Sequence, residues 1–315
     1  MKYGCMYIDK GITFFYDAVR MCCKSAHNNK GMPFLSDYEK YNIDDIFNKK
    51  REYKKLLYNG TVPDECKGCI FLKEIENISQ DDYISIIDID SFNICNSKCI
   101  YCGIPGAETI DRNVFPIIKD LFKKKLIKDD KYGYIQFAGG EPTIMKNFEN
   151  ILDLCMKNGI SNYMIHTNGI KYSKSIEKLL KNYDIKLIIS LDSADKETFL
   201  KVKQVPCFDN VVKNIKKYVQ AQKKSDISVR SKYIIIPGVN DSKEEILKWY
   251  DLSVSLGVKM LILDVEMQWF KMHNQTITKE TEDIIKLIQD KCSQDNIVLD
   301  YYESLKVWFN NKNVT

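Results

Sequence analysis

Along most of the chain, short apolar runs alternate with segments whose apolar residues recur at helical spacing. The runs at 83–89, 134–138, 162–166, 186–191, 228–236 and 259–265 are rich in Ile, Val, Leu and Tyr. Their nearly continuous apolar character is that of strands buried on both faces of a parallel sheet. Segments 114–125, 146–158, 173–182, 209–223, 243–256 and 278–293 carry apolar residues three and four apart and predict amphipathic helices. Strands and helices in alternation predict a parallel α/β fold. Six β/α units are too few for a closed eight-fold barrel. The expectation is an open, partial (β/α)6 TIM-like barrel whose functional loops leave the C-terminal ends of the strands. The first 80 residues show few periodic segments and read as a small N-terminal cysteine-rich module, with the polar stretch 75–82 as connector. Residues 81–315 then form the core domain with a C-terminal helical extension.

Composition narrows the class. Of 315 residues, 44% are hydrophobic and 29% charged, which is the balance of a globular chain. The net charge of +4 gives no reason to expect nucleic acid or an anionic membrane as partner. Lysine runs such as Lys123, Lys124 and Lys125 fall in helical stretches and read as solvated faces. No apolar run reaches the roughly 18 residues of a membrane span. Asp9, Lys10, Asp17 and Arg20 interrupt the start of the chain, so a secretory signal is not expected there. A cytoplasmic location is the expectation. Thiols stay reduced in that compartment, so the 11 cysteines point to metal or cluster ligation where they cluster in sequence.

The tightest group is Cys95-Asn96-Ser97-Lys98-Cys99-Ile100-Tyr101-Cys102, directly after the first core strand. Three thiolates from one loop can bind three irons of a [4Fe–4S] cube and leave the fourth without a protein ligand. A structural zinc site would need a fourth Cys or His at close spacing, and none follows. Cys-x3-Cys-x-aromatic-Cys after the first strand of a β/α series resembles the signature of the radical S-adenosylmethionine (SAM) superfamily. The resemblance covers roughly residues 83–266, and Tyr101 fills the aromatic position. It implies that the open iron chelates SAM and that electron transfer from the cluster cleaves SAM to a 5′-deoxyadenosyl radical.

Further motifs fit that resemblance. Gly139, Gly140, Glu141 and Pro142 end the second strand, where two glycines let backbone approach closely. The stretch is similar to the family's GGEP motif, which implies binding of the SAM amino group. Thr167, Asn168 and Gly169 end the third strand. Ser190 and Asp192 end the fourth, where the resemblance implies contacts to ribose and to the SAM carboxylate or amine. Ser and Asp after strands are also ordinary helix caps. Arg230 on the fifth strand is a candidate for the SAM carboxylate. Pro237-Gly238-Val239-Asn240-Asp241, after the fifth strand, resembles the stretch that cradles adenine through backbone groups. His166 adjoins the Thr-Asn-Gly turn, His27 and His273 carry no constellation, and Cys155 and Cys292 read as thiols of helices. Cys207 precedes a helix and is a remote candidate for a hydrogen donor.

In the N-terminal module, Cys66-Lys67-Gly68-Cys69 is a metal hairpin, and Cys5 with Cys22 or Cys23 completes four ligands. This order resembles the SPASM or twitch-type auxiliary-cluster module of radical SAM maturases, in which the first Cys of a pair binds. That implies Cys5, Cys22, Cys66 and Cys69 as ligands of a second [4Fe–4S] cluster. In the familiar arrangement the module follows the core, whereas here it precedes it. Zinc and unliganded thiols stay open as alternatives. The expected protein is a metal-binding, oxidoreductase-type radical SAM enzyme that abstracts hydrogen from a peptide or a small-molecule or sugar substrate. Reduced flavodoxin or ferredoxin is the expected electron donor. A glycyl-radical-enzyme activase and a non-catalytic iron–sulfur or zinc scaffold are the rival readings.

Overall fold

A computed structural model describes residues 1–22, 31–77, 81–103, 109–265, 277–301 and 305. Cys23, His27 and His273 lie outside the described residues. Two units divide the chain: Met1–Ile94 with Glu108–Met164, and Cys95–Ala107 with Ile165–Thr315.

The first unit runs β1 (Tyr3–Gly4), α1 (Met6–Lys10), β2 (Gly11–Phe15), β3 (Val19–Arg20), β4 (Phe34–Ser36), α2 (Ile43–Tyr58), β5 (Lys73–Glu74), β6 (Ile86–Asp90), α3 (Phe115–Lys123), β7 (Tyr134–Phe137) and α4 (Phe148–Lys157). Its sheet order is β4-β3-β2-β6-β7. The pairs β2·β6 and β6·β7 are parallel, and β2·β3 and β3·β4 are antiparallel. Ile12 and Phe14 of β2 and Ile89 of β6 are fully buried, so β2 is a core strand by composition and by pairing. Residues 1–80 therefore share a sheet and a unit with the first two expected β/α units. Helix α2 was not foreseen. Asn42 caps it, its Oδ1 accepting from the Asp44 amide at 2.8 Å. Its buried stripe is Ile43, Ile46, Phe47, Lys50, Lys54 and Leu57, and two lysines in that stripe disguise the apolar period.

Strand β8 (Tyr163–Thr167) leads into the second unit, followed by α5 (Lys174–Asn182), β9 (Lys186–Ser190), α6 (Lys196–Lys203), α7 (Phe208–Ala221), β10 (Val229–Ile235), α8 (Lys243–Ser255), β11 (Met260–Val265), α9 (Lys279–Gln294) and β12 (Val298–Tyr301). The strands follow chain order in the sheet, and β9·β10, β10·β11 and β11·β12 are parallel. All six expected strands are present, with β12 added beyond them. On β10, the Ser231 hydroxyl accepts from the Trp249 indole at 2.9 Å and the Tyr233 ring packs on Trp249, so these residues face α8. Period-two alternation puts Arg230, Lys232 and Ile234 on the other face. Side-chain caps from Ser173, Asp195, Ser242 and Thr278 start α5, α6, α8 and α9. The result is a mixed α/β fold with a large parallel sheet, the partial-barrel class that the alternation predicts.

Candidate functional site

The three-cysteine loop is moulded on a helix end. The last carbonyls of a helix have no partner within it. In α6 two of them are capped by the loop: the Val202 carbonyl accepts from the Ile100 amide at 3.0 Å, and the Lys203 carbonyl from the Lys98 amide at 3.1 Å. The Ser97 hydroxyl donates to the same Lys203 carbonyl at 3.0 Å and lies 3.2 Å from Cys99 Sγ. The Cys102 amide closes a turn onto the Cys99 carbonyl. Ile100, Tyr101 and Val239 pack against Val202, Ile234 and Ile236. Cys95 is exposed, and Cys99 and Cys102 are half-buried.

Asn168 secures the other end of the loop. Its Nδ2 donates to Asn96 Oδ1 at 2.7 Å and lies 3.6 Å from Cys95 Sγ. Its Oδ1 accepts from the Ile170 amide, and Thr167 Oγ1 accepts from the Gly169 amide. Asn168 thus brings a neutral donor to the Cys95 sulfur, while the Ser97 hydroxyl, its hydrogen given to the Lys203 carbonyl, stands beside Cys99 Sγ. A donor at a sulfur suits one that ligates iron, whose potential it tunes.

A buried triad underlies the loop. Lys203 Nζ forms an ion pair with Asp192 and donates to Tyr101 Oη at 3.1 Å, and Tyr101 Oη donates to Asp192 Oδ2 at 2.7 Å. Asp192 and Lys203 are 0% and 1% exposed. Asp192 sits at φ +58, and its other oxygen accepts from the Ile234 amide at 2.8 Å. Burial first, and the Asp192 carboxylate second, push the Tyr101 phenol well above its usual range. Burial, the largest effect, would depress Lys203, but the Asp192 carboxylate together with Cys99 and Cys95 outweighs it and the ammonium is held above its ordinary value. Asp192 was expected to touch SAM, whereas both its oxygens are committed to this network. Asn240, which the sequence placed in the stretch after β10 without a role of its own, joins it: its Nδ2 donates to the Asp192 and Ile234 carbonyls at 2.9 Å each, and its Oδ1 accepts from the Ile236 amide at 2.7 Å.

Of the other expected SAM residues in this unit, Ser190 ends β9, half-buried, opposite Lys232. Pro237 and Gly238 form the turn after β10, with Gly238 at φ +74 and open space where a Cβ would stand. Arg230 is the second residue of β10, roughly 20 Å of extended chain before that turn. Its charged neighbours are Asp300 and Asp184, its Nε is buried without a hydrogen bond, and burial lowers its pKa. That is the opposite strand end from the cysteine side, so Arg230 is misplaced for a SAM carboxylate. His166, half-buried, immediately precedes Thr167 on β8. Cys207 stands at the N-terminus of α7, while Cys155 and Cys292 are core thiols whose pKa burial raises.

In the first unit, Gly139 and Gly140 lie against the chain that leads into Cys95. The Gly140 amide donates to the Phe92 carbonyl and the Glu141 amide to the Ile94 carbonyl. A Cβ on Gly140 would stand 2.2 Å from the Ile94 oxygen, and one on Gly139, at φ +86, 2.7 Å from the Phe92 oxygen. The close approach that demands glycine is therefore to the protein's own backbone. The buried Glu141 accepts from the Thr143 amide at 3.1 Å and hydroxyl at 2.6 Å, capping the short turn Pro142–Ile144.

The same unit gathers Cys5, Cys22, Cys66 and Cys69 around one cavity with Tyr7, Ile8, Phe71 and Leu72. Cys5 precedes α1, Cys22 follows β3, and a 3-10 turn (Asp64–Cys66) with Gly68 at φ +76 brings Cys66 and Cys69 together. Burial, with further thiols nearby, pushes Cys5 up to about 11 and Cys66 up to about 12. Lys50, from α2, is buried there and donates to the Ile8 and Gly11 carbonyls at 2.7 Å each. Burial lowers its pKa to about 7. Among the described residues no three His, Cys, Asp or Glu side chains are drawn together as one metal ion would need. The thiols ring a cavity and do not converge on a point.

A family profile described as the radical SAM superfamily matches residues 89–250. A probable GTP 3',8-cyclase of Saccharolobus islandicus is 27% identical over 207 residues, 63% of this chain and 64% of its own. One from Methanosarcina mazei is 26% identical over 235 residues, 69% of this chain and 68% of its own. The chain thus spans less than two thirds of the length of the first of these relatives. Streptococcus suis SuiB bound to the precursor peptide SuiA matches in fold with a TM-score of 0.56 and 17% identity, over 85% of this chain and 55% of SuiB. SuiB bound to S-adenosylmethionine gives 0.54 and 17%, over 83% and 56%.

Proposed function

The chain belongs to the radical SAM superfamily, and from that we propose that it cleaves SAM reductively and draws a hydrogen atom from a peptide or a small-molecule or sugar substrate. A [4Fe–4S] cluster held by Cys95, Cys99 and Cys102 would supply the electron and the chelating iron for that cleavage. The observation that carries the reading is the cysteine loop capped on α6, with the Asn168 amide at the Cys95 sulfur and the Ser97 hydroxyl beside that of Cys99. The protein's own part is orientation. Asn168 and Ser97 fix the sulfurs, the Lys203–Asp192–Tyr101 triad fixes the loop's far side, and the Gly238 turn leaves open space beside backbone. Anaerobic reconstitution with iron and sulfide, then dithionite and SAM, tests it. Release of 5′-deoxyadenosine that disappears in Cys99→Ala is the expected result. Bound iron with no SAM turnover, candidate substrates supplied, would favour the scaffold reading.

For the substrate, the sequence relatives are named for a reaction on GTP, a small phosphorylated molecule, and the fold neighbour was solved with a peptide. Supplying GTP and short peptides to the reconstituted enzyme separates the two, read as a new nucleotide product or a change in peptide mass. The four-thiol cavity supports a second [4Fe–4S] cluster on Cys5, Cys22, Cys66 and Cys69. Iron and sulfide counts on a Cys95/Cys99/Cys102→Ala variant test it, and near-zero residual iron would remove it. The electron donor in this reading is reduced flavodoxin or ferredoxin, tested by replacing dithionite with either. Among the described residues no helix is long and apolar enough to cross a membrane.

A further inference from the structure

Both ends of the Asn168 side-chain amide are allotted by geometry. A backbone amide only donates, and that of Ile170 gives its hydrogen to Asn168 Oδ1 at 3.0 Å. This contact settles which end of the side chain is oxygen, so the NH2 end is the one turned to the cysteine loop. Two acceptors meet it there, Asn96 Oδ1 at 2.7 Å and Cys95 Sγ at 3.6 Å, one for each of its hydrogens. Asn168 is itself buried, whereas Cys95 is the exposed cysteine of the three.

Helix α7 holds the turn that carries Asn168. The buried Asn214 gives its own NH2 to the Gly169 and Ile170 carbonyls, at 2.9 and 3.1 Å. One helical turn further on, the Tyr218 hydroxyl accepts from the Ser173 amide at 2.8 Å, and its ring stacks on Tyr172 at 4.6 Å. Ile170 links the two asparagines: its carbonyl is held by Asn214, and its amide holds Asn168. Reduction adds a negative charge to an iron–sulfur cluster, and an N–H aimed at one of its sulfurs favours the reduced state.

We propose that Asn168 is a hydrogen-bond donor to the ligating sulfur of Cys95, making the cluster there easier to reduce, and that Asn214 is a positioning residue that sets the aim of that donor from α7. The inference rests on Cys95, Cys99 and Cys102 being the cluster ligands. It moves Asn168 from the SAM site, where the resemblance put it, to the cluster. Ser97 has no such part, because its hydrogen goes to the Lys203 carbonyl.

The test is an electron-paramagnetic-resonance redox titration of the reconstituted holoenzyme on wild type, Asn168→Leu, Asn214→Leu and the double variant. Leucine is close to asparagine in shape and has no donor. Asn168→Leu should make reduction about tenfold less favourable, a midpoint lower by about 59 mV for one electron. Asn214→Leu should move the midpoint the same way by less. The double variant should go no further than Asn168→Leu, since one hydrogen bond is lost only once. A wild-type midpoint in Asn168→Leu, with the response of the signal to SAM weakened, returns Asn168 to the SAM site and overturns the inference. Additive shifts overturn the part given to Asn214. If Asn168→Leu does not load, an otherwise unaltered donor decides the matter: in Asn96→Asp, which keeps the acceptor for Asn168, protein grown on asparagine labelled with nitrogen-15 in its side chain should show nitrogen-15 hyperfine coupling to the reduced cluster. Absence of that coupling overturns the inference. Wild type that binds iron yet gives no SAM-responsive signal removes the ligand assignment beneath it; a SAM-responsive signal with an unmoved midpoint removes this inference alone.

Discussion

Gly140 and Gly238 are both glycines in loops after strands, yet the structure makes opposite demands on them. A methyl on Gly140 would collide with the Ile94 carbonyl, and that backbone is itself held by the Glu141 amide. Gly140→Ala should lose about 3 kcal/mol or more of stability, as overpacking and strain do. Gly238 has open space but a left-handed backbone, so Gly238→Ala should lose only about 1 kcal/mol. Urea melts of the two variants check the ranking, and equal losses would contradict the geometry. Asn240 is the sharper case. Its side chain satisfies three backbone groups in a fully buried position, so Asn240→Ala should cost about 3 kcal/mol, read as a lowered urea midpoint. The sequence offered Asn240 only as part of a loop. A buried asparagine reads like any turn asparagine until its partners are known. The cysteines and glycines were legible because their chemistry or backbone freedom is particular to their type. Lys203 and Asn240 were hidden because only tertiary contact distinguishes them from the many solvated lysines and asparagines.

At the level of elements, the sequence pattern held where buried stripes are apolar. It missed α2, where Lys50 and Lys54 interrupt the stripe, and α6, whose eight residues Lys196–Lys203 include three lysines. Helix α6 carries the cysteine loop on its last carbonyls and α2 sends Lys50 to the Ile8 and Gly11 carbonyls, so charge stands where periodicity expects hydrocarbon. The thiols around α2 carry a pH prediction. Metal binding displaces their protons, and Cys5 and Cys66 hold theirs up to about 11 and 12. Raised thiol pKa values mean that protons compete with metal throughout the neutral range. Affinity should therefore climb with pH, about tenfold per unit for each thiol proton displaced, and keep climbing to pH 9. Cobalt(II) titrations of the Cys95/Cys99/Cys102→Ala variant at pH 6.5, 7.5 and 8.5, followed by thiolate charge-transfer absorption, measure it. A flat profile would mean that the thiols lose their protons before the metal arrives.

For the molecule as a whole, alternation of strand and helix was enough for the fold class and for all six central strands. It was not enough for the boundary. The first 80 residues look separable because their strands are two, three or five residues long and their helix is masked, yet β2 lies parallel to β6 along five paired positions. Removing residues 1–80 would bare one edge of β6 and strip the cover from its buried face. The fragment 81–315 should be insoluble or lose cooperative melting, whereas a separable module would leave it folded. Sedimentation and thermal melting of that fragment decide the matter.

Because the cysteine loop serves as the end-piece of α6, its shape is inherited from a helix that carries none of the ligands. Lengthening α6 by one residue would swing its closing carbonyls through about 100° and carry them about 1.5 Å onward. The sulfurs would be re-aimed although every cysteine kept its place in the sequence. In a lineage of such chains, insertions should gather in the open turn around Gly238 and avoid the eight residues that end at Lys203.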